Sequence, residues 1–152
     1  MKACLDVDYR DEGAVAACVA FSAWADAAPA LEVVERIAAV AEYEPGAFYK
    51  RELPCLLAVL ARLPAPPSLV VVDGFVWLED ESRPGLGARL FDALGGTVPV
   101  VGGESATRPL WVTAAGMDAK EAAEAVKGMH GPHRLPTLIK RVDVLCRSGF
   151  PA

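Results

Sequence analysis

The most apolar stretch of the chain lies near its middle, at residues 69–72, where Leu-Val-Val-Val leads into Asp73-Gly74. An uninterrupted aliphatic run of this kind is typical of a strand that is buried on both faces. A carboxylate at the carboxyl end of such a strand lies where open α/β sheets place ligand chemistry. Asp-Gly is also a common turn dipeptide. Asp73 therefore has two interpretations, a functional carboxylate or the first residue of a turn.

The N-terminal part of the chain predicts strands joined by a tight turn. Lys2–Tyr9 is mostly apolar and carries Asp6 inside the apolar segment. Gly13 favours a hairpin into a long apolar strand over Ala14–Trp24. Leu31–Ala41 is rich in alanine and valine, and its apolar positions fit either a helical or a strand period.

The rest of the chain alternates predicted helices with short strands. Pro54 fits the first turn of a helix over Phe48–Leu63, where its missing N–H costs nothing, and a polar loop over Phe75–Gly85 follows the central strand. The other predicted elements are a helix over Leu86–Leu94, strands over Val98–Val101 and Pro109–Thr113, a helix capped by Asp118 that ends near Met129, and a final helix from Pro136 to Arg147. Hairpins followed by alternation predict a mixed sheet with helices on its faces, in which the first and fourth strands can be neighbours.

Size, charge and cysteine use narrow the class of protein. A chain of 152 residues with mean hydropathy +0.30 predicts one domain over residues 1–152. The net charge of −5 argues against a protein that coats nucleic acid, but allows an enzyme whose acids hold metal. Because there is no membrane-length apolar run and no room for a signal peptide, we expect a cytoplasmic protein. The cysteines form no C-x-x-C pair and predict buried thiols: Cys4, Cys18, Cys55 and Cys146.

Four acids occupy positions that an apolar context makes unusual: Asp6, Glu52, Asp73 and Asp143. Asp143 shares one face of its predicted helix with three apolar residues, since Ile139, Val142, Asp143 and Cys146 stand at i, i+3, i+4 and i+7. A carboxylate on a buried face carries a large desolvation cost unless it is paired or bound to metal. These acids are therefore the candidates for chemistry.

Two explanations account for such acids. The structural one is pairing with arginine, for which Arg51 and Arg141 are available. The functional one is convergence on a hard divalent cation such as Mg²⁺, which takes carboxylate oxygens and suits phosphoryl transfer. Residue spacing alone does not decide between them, because convergence depends on the fold.

Short motifs of distinctive composition follow one another along the chain. They are Asp6-Val7-Asp8-Tyr9, Tyr43-Glu44-Pro45-Gly46, Arg51-Glu52-Leu53-Pro54, Val72-Asp73-Gly74, Arg83-Pro84, Gly85-Leu86-Gly87-Ala88, Trp111-Val112-Thr113 and Arg134-Leu135-Pro136, with Asp143 after them. In this order and spacing the chain resembles endonuclease V, a ribonuclease H-like family that cleaves nucleic acid near deaminated purines. The resemblance implies an α/β fold, with a ribonuclease H-like mixed sheet of three antiparallel strands and then parallel strands, flanked by helices. It favours a third antiparallel strand for Leu31–Ala41.

The resemblance also implies an activity and its site. It implies a Mg²⁺-dependent endonuclease, with Mn²⁺ as a substitute, that cleaves a phosphodiester 3′ to deoxyinosine in DNA. Inosine in RNA is left open as a further substrate. Asp6 and Asp73 would be the main metal ligands, and Glu52 and Asp143 would complete the catalytic cluster.

Nucleic-acid contacts are implied in the same way. Tyr43 with Pro45 would act as a wedge while the damaged base leaves the stack. Main-chain groups around Gly46 and Gly74 would face the hypoxanthine edge. Basic residues on the last two helices are interpreted either as solvated faces or as a flank toward backbone phosphates: Lys120, Lys127, Lys140, Arg141 and Arg147. We expect the protein to be a monomer that binds DNA and does not bind a membrane.

The chain departs from the family pattern at functional positions. Ser105 stands where the family usually has a lysine that would contact phosphate, and Met117 stands where it has a histidine after Gly116. One alternative is therefore a catalytically impaired, endonuclease V-like nucleic-acid-binding protein. Another is a metal-dependent phosphodiesterase that acts on nucleic acid without regard to inosine.

Overall fold

A six-stranded mixed sheet forms the centre of the structure, a computed structural model that describes residues 1–11, 13–38, 45, 49–73, 76–78, 83–104, 111–131 and 135–149. The strands are β1 (Lys2–Arg10), β2 (Gly13–Phe21), β3 (Leu31–Ile37), β4 (Leu69–Asp73), β5 (Trp77–Leu78), β6 (Arg83–Pro84), β7 (Val100–Glu104) and β8 (Trp111–Ala115). The helices are α1 (Tyr49–Leu60), α2 (Leu86–Ala93), α3 (Ala119–Lys127) and α4 (Thr137–Ser148). The large sheet has the order β3-β2-β1-β4-β7-β8, and β5 pairs with β6 separately.

The pairing of the strands follows the expected fold class. β1, β2 and β3 are antiparallel neighbours, with Asp6 opposite Ala17. The hairpin between β1 and β2 closes at Gly13, whose φ of 125° favours glycine. β1 pairs in parallel with β4, and β4 with β7, while β8 is antiparallel to β7. The predicted mixed sheet and the predicted contact between the first and fourth strands are confirmed, as is the strand at the start of Leu31–Ala41.

Two apolar cores lie on the two faces of this sheet. On one face α1 and α2 pack against alternate strand residues such as Leu5 and Val72. On the other face α3 and α4 pack against the intervening residues, such as Cys4 and Val71. The alternation follows from the period of two in a strand. All four cysteines are buried and reduced, as predicted.

The N-terminal helix α1 differs from its prediction at Pro54. The helix begins at Tyr49, so Pro54 lies inside it and not in its first turn. The acid Glu52 occupies the first turn instead, where the helix dipole favours a negative charge. Of the described helices, none is both long and apolar enough to cross a membrane.

The remaining corrections concern the ends of elements. The stretch Phe75–Gly85, predicted as a loop, contains the short hairpin of β5 and β6. The second strand ends at Phe21 and not at Trp24, because Asp26 accepts hydrogen bonds from the main-chain N–H groups of Ser22 and Ala23 in a turn. The strands predicted over Val98–Val101 and Pro109–Thr113 each begin and end a few residues later, as β7 and β8.

Gly87 provides a test of the packing between α2 and Val76. A Cβ atom there would lie 2.6 Å from Val76 Cγ2 and 2.9 Å from Val76 Cα. Since main chain cannot yield as a flexible side chain does, we expect Gly87→Ala to lower the free energy of unfolding by about 1–3 kcal/mol. Chemical denaturation measures this. Gly95→Ala is not an equivalent control because Gly95 has φ of 81°; Gly128→Ala, at a residue with αR backbone and ordinary contacts, is the matched variant.

Candidate metal centre

The parallel pairing of β1 and β4 sets two carboxylates side by side at one edge of the sheet. The register pairs Leu5 with Val72, and Asp6 and Asp73 follow as the next residue of each strand. Because side chains alternate along a strand, both acids lie on the face that α3 and α4 cover. Asp6 is partly buried and Asp73 is exposed.

Helix α4 brings a third carboxylate to the same place. It packs on β1 and β2 through Leu138, Val142 and Cys146, which are buried. Asp143 lies at the edge of this buried face, with 35% of its side chain exposed. One ligand atom from each of Asp6, Asp143 and Cys146 lies within 4.8 Å of the other two. Of the predicted buried face, Val142 and Cys146 are buried, whereas Ile139 and Asp143 are only partly buried.

Helix α1 reaches the same edge from the opposite face of the sheet. The Arg51 guanidinium lies 4.0 Å from the centre of the Tyr9 ring, a cation–π contact that ties the start of α1 to β1. The next residue, Glu52, is close enough to Asp6 and Asp73 for their charges to raise its pKa. The charges of Asp73 and Asp143 therefore act on Asp6, and those of Asp6 and Asp73 act on Glu52, at this end of the sheet.

Burial and mutual repulsion raise the affinity of two of these acids for protons. Burial, followed by the charges of Asp143 and Asp73 and a hydrogen bond with Asp143, raises the pKa of Asp6 to about 7. The main-chain N–H of Val7, which donates to Asp6 Oδ1 at 2.9 Å, opposes the shift. Burial and the charges of Asp6 and Asp73 likewise raise the pKa of Glu52 to about 7, with Arg51 opposing. Asp6 and Glu52 therefore hold their protons more tightly than solvated carboxyl groups do, chiefly because they are buried.

A cavity of about 290 Å³ opens at this edge. Its polar lining residues are Asp6, Asp73, Asp143 and Arg147. Its apolar wall comes from β1, β4 and α4, while Glu52 is not among the described lining residues. Oxygen donors around a partly apolar cavity can hold a hard cation close to an anionic substrate.

The predicted nucleic-acid contacts are mostly outside the described residues. Pro45 is described and is exposed. Tyr43, Gly46 and Gly74 lie outside the described residues, and so does Ser105, at the position of the family lysine. Their predicted roles stay predictions. Met117 is described, and it packs against the core on the α3 and α4 face.

The arginine that pairs with Asp143 is different from those the sequence suggested. Arg147 Nε lies 3.1 Å from Asp143 Oδ1, one helical turn further along α4. Arg141 instead donates to Glu32 Oε1 at 2.9 Å, and Arg51 stacks on Tyr9. The ion pair of Asp143 is exposed on its arginine side, where the Arg147 side chain is 65% accessible.

Two residues of the site, Cys146 and Arg147, have other roles in the sequence-based predictions, Cys146 as a buried thiol and Arg147 as part of a solvated face or a flank toward phosphates. They follow Asp143 by three and four positions, which are the spacings that place side chains next to each other on a helix. This spacing indicates that both side chains lie beside Asp143. It does not by itself indicate a site, because a cysteine also suits a buried core and an arginine a solvated helix end. Cys146 is indeed buried, and the Arg147 side chain is largely exposed.

Two relatives that are similar to this chain in sequence are described as endonuclease V. The family model for endonuclease V matches residues 2–77. Endonuclease V of Streptomyces coelicolor is 31% identical over 188 aligned residues, which cover 96% of this chain and 77% of that protein. Endonuclease V of Streptomyces avermitilis is 45% identical over 75 residues, which cover 47% of this chain and 31% of that protein. That second match thus spans less than two thirds of the relative.

Solved structures agree with the sequence relatives. The crystal structure of endonuclease V from Streptomyces avermitilis superposes with a TM-score of 0.77 at 26% identity, covering 96% of this chain and 79% of that one. A variant of Ciona intestinalis endonuclease V, in complex with a 23mer DNA that contains an inosine followed by a ribo-adenosine, gives 0.78 at 17% identity, covering 97% and 83%. At that identity the second likeness concerns the ribonuclease H-like fold alone. Because the family model matches residues 2–77 and the Streptomyces coelicolor relative aligns with 96% of the chain, this chain belongs to the endonuclease V family of nucleases.

Proposed function

We propose that this protein is a metal-dependent endonuclease that cleaves DNA at deoxyinosine, on the 3′ side of the lesion. The observation that carries the proposal is the meeting of Asp6, Asp73 and Asp143 around one cavity, with Glu52 within electrostatic reach. Membership of a nuclease family supports the reaction class. The complex of a Ciona intestinalis relative with inosine-containing DNA supports the choice of substrate.

The donor set of the cavity fits Mg²⁺. Mg²⁺ and Mn²⁺ prefer carboxylate oxygens and keep some bound water, so one or two carboxylates with open space beside them suffice. Asp6 and Asp73, on neighbouring strands, are the proposed principal ligands, and Asp143 and Glu52 the proposed remainder of the cluster. The raised pKa values of Asp6 and Glu52 support this assignment, because a dication would relieve the repulsion that causes part of each shift.

The chain's own residues have defined parts in this proposal. A dication bound at the cluster would activate water for in-line attack and neutralise charge on the phosphate and the leaving oxygen. β1 and β4 hold Asp6 and Asp73 on paired main chain, so the two ligands need little rearrangement to bind. The apolar wall of the cavity strengthens electrostatic attraction by excluding water.

Recognition of the lesion is proposed for the family-motif residues at positions 43–46 and for Gly74. Tyr43 with Pro45 would separate the strands, and main-chain groups at Gly46 and Gly74 would contact the hypoxanthine edge. A mismatched, deaminated base is easier to extrude than a paired one. These assignments come from the family motifs, and Pro45, which is exposed, is compatible with a contact to DNA.

A nicking assay tests the proposal. The protein is incubated with end-labelled duplexes that differ only in deoxyinosine or deoxyadenosine, and with an inosine-containing RNA, each with Mg²⁺, Mn²⁺ or a chelator. We expect metal-dependent cleavage 3′ to inosine and none with the chelator.

Each other outcome of the assay selects a different function. Binding of the inosine strand without cleavage, even with Mn²⁺, would contradict the nuclease proposal and favour the binding protein that Ser105 in place of the family lysine suggests. Equal cleavage of both duplexes would retain metal-dependent phosphodiester hydrolysis but overturn inosine as the determinant. Preference for RNA would move the substrate to inosine-containing transcripts.

A further inference from the structure

The side chain of Arg147 lies at the mouth of the acidic cavity. It lines the cavity together with Asp6, Asp73 and Asp143, and it is the cation among the described lining residues. Its main-chain carbonyl accepts a hydrogen bond from Arg10 Nη2 at 3.1 Å, which ties this end of α4 to β1. The main chain of Arg147 is therefore anchored while 65% of its side chain remains accessible.

A nucleic-acid phosphate brought to this cavity meets mostly negative charge. Three carboxylates line the cavity and one guanidinium lies beside them. A guanidinium offers planar donors that match a phosphate in two-point geometry, and an arginine is well suited to that contact. The position of Arg147 makes it the described cavity residue that can attract a phosphate directly.

Asp143 is the point at which Arg147 and a metal ion compete. Arg147 Nε donates to Asp143 Oδ1 at 3.1 Å, and the same carboxylate lies within 4.8 Å of the Asp6 ligand atom. A dication bound by Asp143 would weaken the hold of that carboxylate on the guanidinium. An exposed ion pair of this kind holds its partners only weakly, so its exchange is easy.

We propose, on the basis of the function proposed above, that Arg147 is the phosphate-binding cation of this site and exchanges Asp143 for a nucleic-acid phosphate when a dication binds the acids. The ion pair with Asp143 keeps the guanidinium at the cavity before the substrate arrives. Arg147 then supplies a positive contact at a site where the chain has Ser105 in place of the family lysine.

Two binding measurements on Arg147→Gln test the exchange. Removing the competitor of the metal should tighten Mn²⁺ binding about twofold to fivefold, measured by titration with Mn²⁺ electron paramagnetic resonance. Removing a phosphate contact should weaken binding of an inosine-containing duplex in Ca²⁺ and lower the slope of log K against log salt by about 0.9. Opposite changes in the two affinities are the signature, because simple damage to the site would weaken both.

The controls use the same helix. Arg141→Gln removes the ion pair with Glu32, away from the cavity, and should leave Mn²⁺ affinity and the salt slope unchanged. Arg147→Lys keeps the charge and should restore most of the salt slope. Mn²⁺ affinity that is unchanged or weaker in Arg147→Gln, or an unchanged salt slope, would overturn the inference. Both readouts are binding constants of the whole protein, so a wild-type protein that binds metal and duplex without nicking would contradict the proposed function and not this one.

Discussion

Asp73→Asn is expected to abolish metal-dependent nicking while the protein stays folded. Asp73 is exposed at the end of β4, so an amide of the same shape disturbs no apolar packing. The change replaces the Asp73 carboxylate, which lies close to Asp6, by a neutral amide. A hard dication bound at this site would need that carboxylate as a ligand. Loss of groups that only orient metal ligands costs about 10–100-fold, so loss of a ligand itself should exceed about 100-fold in single-turnover rate.

The measurement pairs the cleavage rate with the melting temperature. Asp92→Asn, an exposed acid on α2, is the matched control and should leave both unchanged. Cleavage by Asp73→Asn within about tenfold of the wild-type rate, at saturating Mg²⁺, would show that the carboxylate at the end of β4 is not a ligand.

Asp6→Asn is expected to stabilise the metal-free protein at pH 8 while removing its activity. The pKa of Asp6 is raised to about 7, chiefly by burial, so the folded protein disfavours the ionised carboxylate. In the unfolded chain the Asp6 carboxyl group has its ordinary pKa of 3.8, so its ionisation carries no such penalty. The neutral amide avoids that penalty, and we expect a gain on the order of 2 kcal/mol in the free energy of unfolding.

The pH dependence of wild-type stability follows with a definite sign. Folding raises the pKa of Asp6 and of Glu52, so the folded state binds more protons than the unfolded state between about pH 4 and 7. The contribution of these two groups to the stability of the metal-free protein should therefore be fully present below about pH 4. It should be lost as the pH rises to about 7. Mg²⁺ should raise the melting temperature more at pH 8 than at pH 5, because metal binding requires deprotonated ligands.

Chemical denaturation from pH 4.5 to 8.5, with and without Mg²⁺, measures both effects. Asp8→Asn is the control, because Asp8 lies on the same strand but pairs with Arg10 at 3.4 Å. It should not stabilise the protein. A wild-type stability that rises between pH 5 and 8 without metal would contradict the raised pKa values.

The sequence predicted the placement of Asp73 because one apolar run, one acid and one glycine make a strand end recognisable without tertiary information. The element order also allowed β1 and β4 to be neighbours, since hairpins followed by alternation predict a mixed sheet in which the first and fourth strands can pair. Leu31–Ala41 could not be assigned from its period alone, because alanine and valine at these spacings fit both a helix and a strand. The family motifs resolved it.

The rest of the site depends on contacts that no local pattern encodes. Glu52 and Asp6 approach from opposite faces of the sheet, and their proximity arises from the docking of α1 on β1 through Arg51 and Tyr9. The partial exposure of Asp143 is one such feature, because Leu138, Val142 and Cys146 form the buried side of α4 while Ile139 and Asp143 lie at its partly buried margin. A small rotation of a helix about its axis decides whether a carboxylate is buried or lines a cavity. Helix periodicity in the sequence does not resolve so small a rotation.

The most direct test of the acidic cluster as a metal site is an anomalous difference map from crystals soaked in Mn²⁺. We expect a peak within about 2.5 Å of carboxylate oxygens of both Asp6 and Asp73. Mn²⁺ peaks only at other places, or none at all at saturating Mn²⁺, would contradict it.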